Sequence, residues 1–587
     1  MWARLSISGV LVVMLAIQLR PQTAKVHPRV AIPTSDMDRD YGRSDYERSM
    51  VVSRFGIVAT SQTLASAAGA DILREGGSAV DAAIAANAAL GVIEPMMNGI
   101  GGDLFAIVYD AKAKKLYGIN SSGWAPQQRT IDFLKSKGIS KSTPRKSIHS
   151  VTVPGAVAGW DAMHRRFGKL PLERVLAPAI YYAAAGVPIT EAVAGVWATS
   201  AETVRDQPNF QKTFLPEGHA PKTGEIFRDP DLAASLELIA AHGRDGFYTG
   251  ALAQRLVQFS KEQGGTISEE DLAEFQPEWV DPISTTYRGW TVAELPPNGQ
   301  GIAALSMLNI MEQFPLGEYG HNSARALHVM IEAKKLAYAD LLQYVGDPRF
   351  THVPVEQLLS KQLAKKRADS IDPTHAHCSV SPSDVSEKLN AAGRDTTYLT
   401  VIDQDGNIVS LIQSNFNSFG TGLVAPGTGF ALQDRGELFT LDAGKPNSLA
   451  PHKRPLHTII PGFMQKGDEV IGFGIMGGFN QAQAHAQFVS NIVDFGMNIQ
   501  GALSAARFTK PTFEGCDLLI ESRVPEAIRD ELTAKGHRLQ VVHPYSLEMG
   551  RGNAVMRDAH GINYGGSDPR ADGEAIPQTP EWTSRKY

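Results

Sequence analysis

Cysteine is scarce in this chain: Cys378 and Cys516 are the only two in 587 residues. Two cysteines cannot build the multi-bridge scaffold of a small secreted domain, and their spacing does not say whether they pair. Positive charge is not in excess either. Fifty-six Lys and Arg face 62 Asp and Glu, and the net charge of −6 provides no basic field for nucleic acid. The N-terminal apolar run, Leu5 to Ile17, is too short for a comfortable membrane span. The glycine-rich loop Gly101-Gly102-Asp103 is not followed by Gly-Lys-Ser/Thr, which excludes a P-loop. No internal repeat or low-complexity segment is visible.

What is present is ordinary globular composition, 43% hydrophobic and 20% charged. The length suits several average domains or one large layered one. Met1-Trp2-Ala3-Arg4 followed by Leu5 to Ile17 reads as a secretory signal peptide over residues 1–24. The polar residues 25–55 read as a linker. Export to a periplasm or out of the cell is therefore expected, with no stable membrane span.

One stretch organises the rest. A polar run, Ser379 to Arg394, ends at Asp395, and alternating residues follow from Thr396 to Ile402. Asp405-Gly406 turns the chain, and Ile408 to Ile412 resumes extended, so a β-hairpin is expected with its first strand starting at Thr396. Cleavage of the Asp395–Thr396 bond would give Thr396 a hydroxyl nucleophile and a free α-amine to act as its base.

Elsewhere, helices are expected over Gln62 to Arg74 (capped by Ser61), Asp81 to Leu90, Ala156 to Arg166, Leu172 to Ala185, Asp231 to His242, Ala324 to Tyr344, Gln481 to Val493, Ile499 to Ala506 and Glu526 to Lys535. Residues 155–345 read as mostly helical. Strands are expected at Gly56 to Ala59, Leu104 to Tyr109, Lys115 to Ile119, Gly427 to Leu432 and Glu469 to Gly474. Strands between helices on both sides of Thr396 fit a layered α/β protein.

Many spaced motifs resemble the gamma-glutamyltranspeptidases, a family of N-terminal nucleophile (Ntn) hydrolases, over nearly the whole chain after Gly56. They include Gly76 to Ala83, Asn98 to Asp103, Val153 to Val157, Pro296 to Gly301 and Lys335 to Asp340. After the threonine come Phe419 to Gly422, Lys453-Arg454-Pro455, Gly477-Gly478 and Ser567 to Arg570. The resemblance implies a four-layer αββα sandwich and self-cleavage between Asp395 and Thr396. The products would be a large chain of residues 56–395 and a small one of 396–587, together forming one domain. It makes Thr396 the nucleophile, Gly477 and Gly478 the oxyanion donors, and Ser414 the hydroxyl bonded to the nucleophile. Neither a cofactor nor a metal is expected. The expected partners are a small-molecule amide and the two chains of one precursor, with homo-oligomers of that heterodimer left open.

The acyl-binding positions depart from the family. Ser122 stands where members that grip a γ-glutamyl group have an arginine. Phe416, or Asn417 in a shifted register, takes the place of an asparagine. Arg435 and Leu438 replace an amide and an acid that hold the α-amine, and His457-Thr458 replace paired serines. Glu437 is expected to neutralise Arg435, or else to leave it free for a carboxylate. The family default is glutathione hydrolysis and γ-glutamyl transfer. The alternative is an acylase or amidohydrolase on an acyl group without the α-amine (glutaryl, cephalosporin or oxamate type), as in the transpeptidase-like members. Two other classes carry weaker signals. Gly472 to Gly477 spells G-x-G-x-x-G, a dinucleotide-fold spacing without the acidic strand end that should follow. His375-Ala376-His377-Cys378 has metal-ligand residue types but no matching second pair, and reads as a solvated loop.

Overall fold

The computed structural model describes residues 48–382 and 395–580. The expected signal peptide, most of the expected linker and residues 383–394 of the polar run lie outside the described residues. Two seven-stranded sheets form the centre. One runs Val51–Ser53, Asn563–Ser567, Gly552–Arg557, Glu469–Ile475, Gly462–Lys466, Trp290–Glu294, Ile283–Tyr287. The other runs Ala575–Pro577, Ile57–Ala59, Asp395–Ile402, Ile408–Phe416, Asp103–Asp110, Lys115–Ser121, Glu278–Val280. Every neighbouring pair in both sheets is antiparallel.

The sheets lie face to face and very close. A Cβ at Gly474 would lie 2.4 Å from a ring carbon of Tyr398, and one at Gly472 would lie 2.5 Å from Ile408. The glycines that spelled a dinucleotide fingerprint thus permit sheet-on-sheet contact. Gly472 and Gly474 sit inside strand Glu469–Ile475 and Gly477 just beyond it, and that strand is antiparallel to both neighbours rather than the parallel strand of a β-α-β unit, which removes the oxidoreductase reading. Helices close the outer faces: Thr63–Arg74 and Ala79–Ile93 pack over one sheet, and Gly301–Met311, Ala324–Tyr344 and Gln481–Val493 over the other. The result is a four-layer αββα sandwich.

Local chemistry explains the covering helices. Ser78 and Asp81 form a reciprocal capping box that starts Ala79–Ile93. Fourteen of its 15 residues are buried, because small alanines let neighbours approach on every side. Gln62, rather than Ser61, caps Thr63–Arg74: its Oε1 accepts from Leu64 N–H at 2.6 Å and Ala65 N–H at 3.2 Å. The Ser61 hydroxyl instead donates to Glu94 at 2.7 Å.

Other departures are equally physical. Within the expected linker, Val51–Ser53 pairs with Asn563–Ser567 as an edge strand. Gly427 to Leu432 is not a strand, since Gly427 and Gly429 adopt φ of +71° and +79°, far from extended backbone. Five strands, Val187–Pro188, Ile226–Phe227, Glu278–Val280, Ile283–Tyr287 and Trp290–Glu294, interrupt the stretch read as helical. The helix from Ile499 ends at Ser504, two residues early. The cysteines pair: Cys378 and Cys516 form a disulfide with a Cα–Cα distance of 4.7 Å.

Candidate active site

Thr396 sits where the hairpin ladder is irregular. Asp395 faces Phe416 and Thr397 faces Gln413, so the single residue Thr396 stands opposite two, Ser414 and Asn415. Such a bulge re-aims side chains beside active sites. Here the Thr396 hydroxyl donates to the Ser414 hydroxyl at 3.1 Å, and Phe416 N–H donates to the same Ser414 oxygen at 2.7 Å. Phe416 adopts φ +77°, a conformation that costs a bulky residue energy and that surrounding contacts must hold.

The next residue anchors the strand. The Thr397 hydroxyl donates to Glu94 at 3.1 Å and accepts from the Asn98 amide at 3.2 Å. Glu94 is 1% exposed and also accepts from Ser61. Glu94 carried no signal in the sequence and Ser61 read only as a helix cap, because both lie some 300 residues from Thr396.

Beside the hydroxyl pair lies Arg435. Its guanidinium stacks 4.4 Å above the Phe416 ring, and Nη1 donates to the Thr458 hydroxyl at 2.6 Å. It is fully buried, yet Nε and Nη2 have no hydrogen-bond partner among the described residues. Among the described residues, the Asp103 carboxylate lies 3.7 Å from Nε. Asp103 already accepts from Gly123 N–H at 2.8 Å, the Gln433 amide at 2.7 Å and His457 Nε2 at 2.8 Å. Burial pushes the Arg435 guanidinium down to about 10. Burial, reinforced by Arg435, drives His457 down to about 4, so the imidazole is neutral and donates to Asp103.

Glu437 does not neutralise Arg435. It accepts from the Asn417 amide at 3.0 Å, and Asn417 also donates to Asp434 at 2.7 Å. Asp434 is paired with Arg145 at 3.3 Å. Burial, and then the charge of Asp434, raises Glu437 to about 7. Asn417 is therefore committed to this acidic pair, and Phe416 is the residue against the Arg435 guanidinium. Ser122 is buried in a neighbouring wall, where its hydroxyl accepts from Asn298 at 3.2 Å and its carbonyl from Arg454 at 3.1 Å.

Gly477 and Gly478 follow strand Glu469–Ile475 with φ of +133° and +60°, and their N–H groups have no acceptor among the described residues. Gln300 ties them to the acyl-side wall. Its amide donates to the Gly478 carbonyl at 2.8 Å and to the Thr458 carbonyl, while Tyr338 OH donates to Gln300 Oε1 at 2.8 Å. Gln300 and Tyr338 belong to motifs noted in the sequence, but a supporting role was not assigned to them.

Of possible metal ligands, His328, Glu332 and His537 converge within 4.8 Å. Their atoms are largely in use. His328 Nε2–H donates to the Asp372 carbonyl at 2.7 Å, so its Nδ1 accepts from His537 Nε2 at 2.8 Å, and Glu332 pairs with Lys335 at 2.5 Å. His375 to Cys378 does not converge, since Cys378 is in the disulfide and His375 faces Thr374 and Asp372.

Comparison with known proteins agrees with this geometry. The family model for gamma-glutamyltranspeptidase matches residues 65–578. A glutathione hydrolase-like YwrD proenzyme of Bacillus subtilis is 37% identical over 533 residues, covering 90% of this chain and 99% of that protein. An oxamate amidohydrolase proenzyme of Klebsiella pneumoniae is 35% identical over 537 residues, covering 89% and 98%. The crystal structure of a cephalosporin acylase from Bacillus halodurans superimposes with a TM-score of 0.84 at 42% identity, covering 92% of this chain and 99% of that one. With a family model matched over most of its length and relatives above 30% identity along nearly their whole length, the chain belongs to the gamma-glutamyltranspeptidase family of Ntn hydrolases.

Proposed function

We propose that the protein is a self-processing amidohydrolase that works through Thr396 and prefers acyl groups ending in a carboxylate but lacking an α-amine. In maturation the Thr396 hydroxyl attacks the Asp395 carbonyl, the peptide shifts to an ester, and water hydrolyses it. Asp395 then ends one chain and Thr396 begins the other with a free amine. In turnover that amine takes the hydroxyl proton as the oxygen attacks the substrate amide. The amine leaving group departs with a proton, and the acyl-enzyme passes its acyl group to water or to an acceptor amine. Gly477 and Gly478 N–H groups are the donors for the tetrahedral oxyanion, a role in which one donor typically contributes about 3 kcal/mol.

The observation that carries the acyl preference is Arg435: fully buried, stacked on Phe416 and holding two unpartnered nitrogens. A buried guanidinium whose Nη2 has no hydrogen-bond partner among the described residues, and whose Nε has only the 3.7 Å ion contact to Asp103, suits a carboxylate and repels an ammonium. Such a charge-assisted contact is worth about 1.5–3 kcal/mol, or roughly 10–150-fold in affinity. The second reading, hydrolysis or transfer of γ-glutamyl groups as in glutathione, is supported by the family and by the relative named glutathione hydrolase-like. Measuring kcat/KM for glutaryl- and γ-glutamyl-p-nitroanilide on one preparation separates the two. The glutaryl compound should be the better substrate, and a clear preference for the γ-glutamyl compound would restore the family default. Export is part of the same reading. It rests on the basic, apolar N-terminus and on a disulfide of the kind that persists in oxidising compartments.

A further inference from the structure

The disulfide joins residues on opposite sides of the bond that Thr396 is proposed to cut. Cys378 precedes the scissile Asp395–Thr396 peptide by 17 residues, and Cys516 follows it by 120. In the intact precursor the bond closes a loop of 138 residues within one chain. We infer that in the mature enzyme it is an inter-chain cross-link, holding the large and small chains together as one covalent unit. This rests on the cleavage proposed above.

The surroundings make the cross-link part of a built seam. Gly515 N–H donates to the Cys378 carbonyl at 2.8 Å, and Ala376 N–H donates to the Lys535 carbonyl at 2.7 Å. The Lys535 ammonium reaches the Pro373 carbonyl at 2.7 Å. From the other side, the Lys335 ammonium holds the His377 carbonyl at 2.7 Å. Residues 373–378 are thus stitched to residues 515–535, which lie in the other chain once the cut is made. Cys516 is 2% exposed, whereas Cys378 is exposed.

Formation is balanced by thiol–disulfide exchange. The Cys378 and Cys516 thiols lose two protons and two electrons, and a partner disulfide of the exporting compartment, on a dithiol oxidase or on oxidised glutathione, accepts them and becomes two thiols. Cutting a single chain separates its pieces on unfolding. With the tether, denatured mature enzyme keeps both pieces at a high effective concentration, and reassembly is intramolecular.

The exported full-length protein, alkylated with N-ethylmaleimide on lysis, should run on a denaturing gel as one species without reductant and as two with it. Two species in both lanes would overturn the tether while leaving cleavage intact. One species in both lanes would overturn the cleavage, and with it the inter-chain character of the bond. Thr396→Ala, intact by design, fixes the position of the uncut chain. Cys516→Ser should give two species without reductant while retaining amide hydrolysis. After denaturation and dilution, the wild-type recovery rate should be independent of protein concentration. That of Cys516→Ser should fall about tenfold for each tenfold dilution, as for a bimolecular step. Concentration-independent recovery in both proteins would mean that the bond does not serve as the link.

Discussion

The hydroxyl of Thr396 points at the hydroxyl of Ser414, 3.1 Å away, across a ladder irregularity in which one residue stands opposite two. Ser414 is itself fixed by the Phe416 N–H at 2.7 Å, so the Thr396 hydroxyl is aimed by a backbone group through one intervening side chain. Removing the Thr396 hydroxyl should abolish both proposed steps. Thr396→Ala should remain a single polypeptide chain and be inactive. In the wild type, N-terminal sequencing of the smaller fragment should begin at Thr396; a different start, or cleavage persisting in Thr396→Ala, contradicts this assignment.

Ser414→Ala removes the acceptor while leaving the fold of a buried strand. A hydrogen bond of this kind is worth about 1 kcal/mol net, and more when a buried partner is stranded. Maturation and kcat should both slow by about five- to tenfold or more, and Ser414→Thr should remain active. Equal rates for Ser414→Ala and wild type, followed by gel and by p-nitroaniline release, would take Ser414 out of the site.

Arg435→Gln keeps a donor for Thr458 but deletes the buried charge. Its effect should fall on KM for glutaryl amides, by roughly 10–150-fold. Activity on uncharged acyl amides should change far less. A uniform loss on all substrates would point to a packing role for Arg435.

Gln300→Ala releases the Gly478 and Thr458 carbonyls that one amide now holds together. If the Gly477 and Gly478 N–H groups are the oxyanion donors proposed above, kcat should fall about tenfold or more while KM stays nearly constant. Parallel changes in both constants would instead place Gln300 in substrate binding.

His457 sets a pH dependence of stability. Its folded value is lowered to about 4 from an ordinary 6.5, so between those values the unfolded chain binds a proton that the folded chain does not. Stability contributed by the neutral imidazole is therefore complete above about pH 6.5 and is lost as pH falls toward 4, by up to about 3 kcal/mol. Urea midpoints at pH 7.5, 6.0 and 4.5 should drop more steeply for wild type than for His457→Gln. Parallel slopes would contradict the buried neutral histidine.

Local signals in the sequence read well. Leu172–Ala185, Ala324–Tyr344 and Gln481–Val493 begin and end where periodicity and breakers place them. The hairpin around Asp405-Gly406 is equally local. What depended on distant partners was hidden. Trp290–Glu294 is a five-residue strand that pairs locally with Ile283–Tyr287, but its other neighbour, which places it in the sheet, is Gly462–Lys466, some 170 residues on. Asp103 meets His457 across 354 positions, so the network beside Arg435 has no footprint in either neighbourhood. Glu437 was legible as an acid near Arg435, but only the fold turns it toward Asn417 and Asp434. The cysteine pairing has no local signature, because a Cα–Cα distance cannot be read from a gap of 138 residues.

The alanine-rich helix Ala79–Ile93 works as a ruler. Its N-terminus is pinned by the Ser78–Asp81 box, and Asp81 also accepts from Lys169 N–H at 2.8 Å. Its C-cap is Glu94, the residue that grips Thr397. The helix therefore converts a count of residues into the position of one carboxylate. Inserting or deleting a single alanine would turn Glu94 by about 100° and shift it by about 1.5 Å, enough to lose its grip on the strand that presents Thr396. Helix length here sets how the strand carrying Thr396 is held, although the insertion would lie some 300 residues from it in sequence.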